Sequence, residues 1–91
     1  MTGDDPWRPR LAARARLKFD PIAGQEMLLF PEAALALNET GAAIVRLCDG
    51  ARSIDEIVDQ LSKKFSNNDR NALTREVSDF LDTIRARGLL Q

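Results

Sequence analysis

The chain has 91 residues, of which 44% are hydrophobic and 30% charged, so it has room for one small domain with a single core. Thirteen basic and fourteen acidic residues give a net charge of −1, without the cationic excess of proteins that neutralise nucleic-acid phosphates. With no histidine and one cysteine, the chain lacks the residues for the usual zinc sites, Cys-His nucleophiles and Ser-His-Asp triads. We therefore expect a protein that is not an enzyme, holds no metal or cofactor and binds no nucleic acid.

The sequence also predicts where the protein works. No apolar run approaches the roughly 20 residues of a membrane-spanning helix. The first ten residues, MTGDDPWRPR, lack the basic and apolar regions of a signal peptide. The lone Cys48 cannot form an intramolecular disulfide, which agrees with a reducing compartment. We expect a cytoplasmic protein without membrane association.

The two predicted parts of the chain differ in composition. Residues 1–9 contain two prolines, a glycine and two aspartates, and they predict a flexible arm in which only Trp7 has much to bury. Residues 10–91 hold the periodic apolar patterns and are predicted to form the functional domain.

The domain is predicted to begin with a strand. Apolar and basic residues alternate over Leu11–Phe19, with Arg14, Arg16 and Lys18 on the polar face. This period of two is typical of a half-buried strand.

Two further strands are predicted after the first. The stretch from Asp20 to Gly24 contains Pro21 and has the residues of a chain reversal. Strand two then covers Gln25–Phe30, and strand three covers Ala33–Leu37 after the interruption at Pro31.

Three amphipathic helices are predicted beyond the strands because the apolar period changes to 3.6. Asn38 is the predicted N-cap of the first helix and Gly50 its terminator. Ser53 and Glu56 have the spacing of a capping box for the second. The third follows a break at Ser66–Asp69 and ends at Gly88. The predicted buried stripes are Ile44, Leu47 and Cys48; Ile54, Ile57, Val58, Leu61 and Phe65; and Leu73, Val77, Phe80, Leu81 and Ile84.

These elements predict an α+β fold. A three-stranded antiparallel sheet followed by three α-helices gives a winged-helix-like arrangement with the strands moved to the front.

The two outer strands of such a sheet differ in charge. Strand one carries three cations, whereas Ala33–Leu37 carries none, and charge on an edge strand discourages unwanted pairing. We hypothesise that an extended peptide adds to strand three, and that Ala34 and Ala36 are small enough to leave side-chain pockets open. Two alternatives stay open: the strand is covered by the protein's own helix, or it pairs with a second copy.

The segment Pro31–Leu61 resembles the central block of a known family, the pyrroloquinoline quinone (PQQ) biosynthesis protein D family, PqqD. The similarity extends from about Arg8 to Gln91. One departure is Gly41, where the resemblance leads us to expect alanine. The matching residues are Pro31-Glu32, Leu37-Asn38, Ile44, Leu47-Cys48-Asp49-Gly50, Ser53-Ile54 and Glu56-Ile57.

The resemblance implies a peptide chaperone or adaptor in PQQ biosynthesis. Such a protein binds the ribosomally made precursor peptide as an added strand and presents it to a radical-SAM enzyme, which crosslinks a glutamate and a tyrosine. A monomer is expected, with a dimer through strand three as the alternative. The family's groove lies between strand three and helix three, so the implied peptide-binding residues are Ala33, Ala34, Leu35, Ala36 and Leu37, with Arg75, Ser78, Leu81, Asp82 and Arg85.

A different class of function also suits the predicted fold. A small winged-helix DNA-binding regulator would have the same three helices, by fold analogy alone. Charge weighs against it, because the third helix has no excess of Arg and Lys to present to a DNA groove.

Overall fold

The computed structural model describes residues 7–65 and 69–91 and contains three strands followed by three helices, so the predicted α+β class is confirmed. No helix in the described part of the chain is long and apolar enough to cross a membrane. The elements are β1 (Arg16–Asp20), β2 (Gln25–Phe30), β3 (Ala33–Leu37), α1 (Glu39–Leu47), α2 (Ile54–Lys64) and α3 (Arg70–Ala86).

The sheet is an antiparallel meander in the order β1-β2-β3. The predicted reversal between β1 and β2 is present: Gly24 adopts a φ of 70° and its N–H donates to the Asp20 carbonyl at 2.8 Å. The Asp20 carboxylate also accepts from the N–H of Ile22 at 3.0 Å. β2 and β3 have the predicted bounds.

Strand one was predicted too long. Residues 11–15 lie outside β1, because the chain turns at Ala12–Ala15, where the N–H of Ala15 donates to the carbonyl of Ala12 at 3.0 Å. Leu11 instead forms an isolated bridge to Leu90 near the C-terminus. An extended segment before a turn has the same alternation as a strand, and neither glycine nor proline marks this turn, so the pattern alone could not separate the two.

Residues 7–9 are anchored to the domain, in contrast to the loose arm predicted for 1–9; residues 1–6 of that prediction lie outside the described residues. Pro9 is fully buried, and its carbonyl accepts from the N–H of Gly50 at 3.0 Å. The ring of Trp7 lies 4.8 Å from the Arg85 guanidinium, a cation–π contact with the last turn of α3.

The predicted helix N-caps are present. The Asn38 side chain accepts from the N–H of Gly41 at 2.7 Å, and Ser53 and Glu56 form the reciprocal capping box. The hydrogen bond from the Ser53 N–H holds the pKa of Glu56 below its usual value. Asp69 caps α3, while residues 66–68 of the predicted break lie outside the described residues.

Gly50 was predicted to terminate the first helix, but α1 ends at Leu47 with Cys48 as its C-cap. Gly50 lies two residues further on and adopts a φ of 81°. This positive φ lets the N–H of Gly50 donate to the carbonyl of Pro9. The glycine therefore helps to anchor residues 7–9 and does not terminate α1.

One face of the sheet packs against the helices and forms the core. Leu28 of the central strand lies opposite Leu17 and Leu35 and is fully buried. Cross-strand rows of this kind stabilise a sheet through burial on one face. The other fully buried large side chains are Pro9, Ile44, Ile57, Val58, Leu61, Leu73, Val77, Leu81, Ile84 and Leu89.

Gly88 ends α3, as predicted, in a Schellman motif. Its N–H donates to the Arg85 carbonyl at 2.9 Å, and the N–H of Leu89 donates to the Ile84 carbonyl at 3.0 Å. Gly88 has a φ of 74°, and a Cβ there would lie 2.9 Å from Nη2 of Arg14, which donates to the Gly88 carbonyl.

We expect Gly88→Ala to lower the free energy of unfolding by about 2 kcal/mol, because left-handed backbone strain adds to displacement of the Arg14 guanidinium. Gly24→Ala is the matched control: its φ is 70°, and beyond its two chain neighbours no atom lies within 4 Å of the added Cβ. That variant should lose only about 1 kcal/mol. Urea unfolding measures both, and equal losses would show that the contact with Arg14 contributes nothing.

Candidate functional site

The outer edge of β3 is open. Within residues 7–65 and 69–91, β3 pairs with β2 alone, and no other strand covers its far side. Ala33, Ala34 and Ala36 are exposed, Leu35 is half-buried and Leu37 is buried. Leu37 lies in the core and Leu35 packs against it, so the protein's own helices cover the inner face of β3 but no described strand pairs with its outer edge.

Ala34 and Ala36 carry the unpaired backbone groups of this edge. In an antiparallel pair, every second residue exchanges backbone hydrogen bonds with the residue opposite it. The residues between them point their N–H and C=O groups away from the partner strand. The two-residue turn between β2 and β3 makes Phe30 and Ala33 the bonded closing pair. Counting along β3 from that pair, the N–H and C=O of Ala34 and Ala36 point away from β2, as an added strand requires.

A cleft of about 470 Å³ begins one residue beyond the end of β3 and separates the start of α1 from α3. Its lining combines apolar surface with one cation and two carboxylates. The cleft therefore adjoins the C-terminal end of the open strand, where Leu37 lies close to Gly41. The lining residues are Asn38, Gly41, Ile44, Ala72, Arg75, Glu76, Asp79, Phe80 and Thr83.

The residues predicted on helix three do not all face this cleft. Arg75 lines it, but Leu81 is fully buried in the core. Ser78, Asp82 and Arg85 lie on the opposite flank of α3, since successive helical residues are about 100° apart and the core stripe separates the two flanks. Arg85 is also in contact with Trp7 on that side. Their role in peptide binding remains a prediction.

Several cleft residues were missed by sequence reasoning. Ala72, Glu76, Asp79 and Thr83 recur at spacings of four, three and four and therefore share one stripe of α3. The spacing reveals the stripe but does not show which flank of the helix meets the strand edge. Phe80 was assigned to the buried stripe, yet its ring is half-buried and forms part of the cleft wall.

The cations predicted to guard strand one have different roles. Arg16 and Lys18 lie on β1 and are exposed. Arg14 precedes the strand: its guanidinium pairs with Glu32 at 2.8 Å and donates to the carbonyls of Arg87 and Gly88. Arg14 therefore stabilises the C-terminal end of α3.

Cys48 is a core residue. It is 4% exposed, and burial raises the pKa of its thiol to about 12, with the carboxylate of Asp49 adding to the effect. The thiolate needed for nucleophilic chemistry is therefore scarce at neutral pH.

We expect the folded protein to react with a disulfide reagent at pH 8 at least about a hundredfold more slowly than the urea-unfolded chain, because only the thiolate attacks. Absorbance of the released thiol measures both rates. Cys48→Ala should leave peptide affinity unchanged, and rapid labelling of the native state would contradict this interpretation.

Comparison with known proteins gives the family. The model of the family described as coenzyme PQQ synthesis protein D (PqqD) matches residues 26–90. A curated relative from Rhodopseudomonas palustris (strain BisB5), named PqqA binding protein, is 36% identical over 90 residues, covering 99% of this chain and 87% of the relative. The chain belongs to the PqqD family.

Solved PqqD structures have the same fold. The PqqD part of Methylobacterium extorquens PqqCD, a stand-alone recognition element for ribosomally synthesised and modified peptides, superposes with a TM-score of 0.79 at 26% identity. The similarity covers 99% of this chain and 93% of that one. PqqD from Xanthomonas campestris gives 0.61 at 26% identity, covering 100% and 98%. The predicted resemblance to the PqqD family is confirmed over nearly the whole chain.

Proposed function

We propose that this protein binds the PQQ precursor peptide PqqA as a fourth strand on β3 and presents it to a radical-SAM enzyme, performing no chemistry itself. The observation that carries the proposal is the open edge of β3 beside the cleft between α1 and α3. The names of the curated relatives supply the ligand, since they are PqqA binding proteins.

Main-chain hydrogen bonds would supply affinity with little regard to sequence. Ala34 and Ala36 each offer one N–H and one C=O to an incoming strand, and each bond contributes about 0.5–1.5 kcal/mol net. The alanine side chains are exposed on the sheet face, so a neighbouring strand meets little steric hindrance.

Side-chain contacts in the cleft would supply selectivity. The ring of Phe80 and the side chain of Ala72 offer apolar surface, while Glu76 and Asp79 outnumber Arg75 in charge. Such a cleft suits an apolar side chain of the peptide flanked by a basic or polar neighbour. Duplex DNA suits it poorly, because α3 as a whole balances Arg70, Arg75 and Arg85 against Glu76, Asp79 and Asp82.

Calorimetry tests the proposal in two steps. Synthetic PqqA titrated into the purified protein should give saturable binding, and the radical-SAM enzyme titrated into that complex should bind further. Backbone amide shifts of 33–37 and of the cleft residues should change together on adding PqqA. If the first titration is silent, the peptide-binding function is wrong; if only the second is silent, the presentation step is wrong.

A further inference from the structure

Gly41 occupies the point where β3 ends, α1 begins and α3 passes. It is buried in the first turn of α1 and lines the cleft. A Cβ at this position would lie 3.2 Å from Cε1 of Phe80, 3.2 Å from Oδ1 of Asn38 and 3.6 Å from Cδ2 of Leu37. One methyl group here would therefore press on the cap, the strand end and the aromatic wall.

The backbone does not require glycine at this position. Gly24, Gly50 and Gly88 have positive φ, whereas Gly41 has ordinary helical geometry that alanine adopts readily. Inside a helix alanine is favoured over glycine. Glycine at this position is thus explained by the close neighbours of a Cβ, and not by a backbone conformation that only glycine adopts.

A methyl group at position 41 would change the shape of the cleft more than the packing of the core. Of the three neighbours, Leu37 is buried, and the Asn38 side chain is fixed by its 2.7 Å hydrogen bond from Gly41. The ring of Phe80 is half-buried and borders the open cleft, so it has room to move. An added methyl group would displace the ring by a few tenths of an ångström towards the space that a bound side chain needs.

We infer that Gly41 is a specificity-determining residue: by letting the Phe80 ring pack directly on the α1 backbone, it sets the depth of the cleft and admits a large apolar side chain of the bound peptide. This inference rests on the proposed function, since it takes the occupant of the cleft to be a PqqA side chain. With a methyl group at position 41, the cleft would favour a peptide that has a smaller side chain at the position that enters it.

The test combines Gly41→Ala with a set of synthetic PqqA peptides in which each large apolar residue is shortened in turn to alanine. Gly41→Ala should weaken binding of unmodified PqqA about tenfold. It should weaken binding of one shortened peptide by less than about twofold relative to wild-type protein, because that peptide no longer fills the cleft. Phe80→Leu should cost less affinity in the Gly41→Ala background than in wild type, because there the displaced ring is itself the obstacle.

Thr40→Ala is the matched control, since it changes the neighbouring residue of the same turn outside the cleft lining, and it should leave affinity within about twofold. Urea unfolding of Gly41→Ala measures what the close contacts with Asn38 and Leu37 cost in stability, and a variant that stays fully folded under the binding conditions separates a cleft effect from damage to the fold. Equal loss for every peptide, or no loss for any, overturns the inference. A wild-type protein that fails to bind PqqA overturns the proposed function itself, which is a different result.

Discussion

Ala36→Pro is expected to weaken PqqA binding at least about tenfold while the domain stays folded. The N–H of Ala36 points away from β2, so proline removes a donor that an added strand would use and puts its ring in the path of that strand. Proline is tolerated on edge strands where the N–H faces solvent, and the preceding Leu35 is already extended. Calorimetry with synthetic PqqA measures the loss, and far-UV circular dichroism checks the fold.

Phe19→Pro provides the control on the opposite edge of the sheet. By the same alternation, the N–H of Phe19 points away from β2, but on the outer side of β1. That variant should bind PqqA within about twofold of wild type. Equal losses from the two prolines would mean that the peptide does not pair with β3. Leu35→Pro removes a donor that faces β2 and should instead unfold the sheet.

Most of the fold could be predicted because local signals and burial agree. The Ser53 capping box, the reversal at Gly24 and the Schellman glycine at 88 each specify a backbone conformation from one or two residues. The bounds of β2 and β3 follow from turn residues that flank them on both sides. Such positions can be predicted because the backbone conformation that the local sequence favours is also the one that the fold requires.

The errors occur where distant residues decide the local structure. Leu11 is extended because it pairs with Leu90, and the turn after it carries no turn residue of its own. Pro9 is buried because Gly50, forty-one positions later, donates to its carbonyl. A pattern within a short window holds no information about partners so far along the chain.

The strand side of the candidate site was predictable, and the helix side was not. An uncharged edge strand is visible in sequence because charge is the usual protection of an edge. The flank of α3 that faces this edge depends on how α3 packs beside the start of α1, where Phe80 lies close to Gly41. Two flanks of one amphipathic helix look alike in sequence when both carry mixed charges, as the flanks of α3 do.

Phe80→Ala is expected to reduce the affinity for PqqA about thirtyfold, since aromatic side chains at the centre of an interface often contribute about 2 kcal/mol. The ring forms the apolar wall of the cleft and is half-buried, so its loss also opens a gap next to Gly41. Phe80→Leu keeps part of the apolar surface and should lose less. Urea unfolding of both variants shows how much of the change is a loss of stability.

The comparison that decides the site is between the two flanks of α3. A triple alanine variant of Ser78, Asp82 and Arg85 changes the flank next to Trp7 and leaves the cleft lining intact. If PqqA lies in the cleft, this variant should lose less than about threefold in affinity, far less than Phe80→Ala. If the triple variant instead loses more affinity than Phe80→Ala, the peptide lies across the flank of α3 next to Trp7, as the sequence-based assignment of those three residues implies. In that case the added strand on β3 would stand, but Phe80, Gly41 and the cleft would not belong to the binding site.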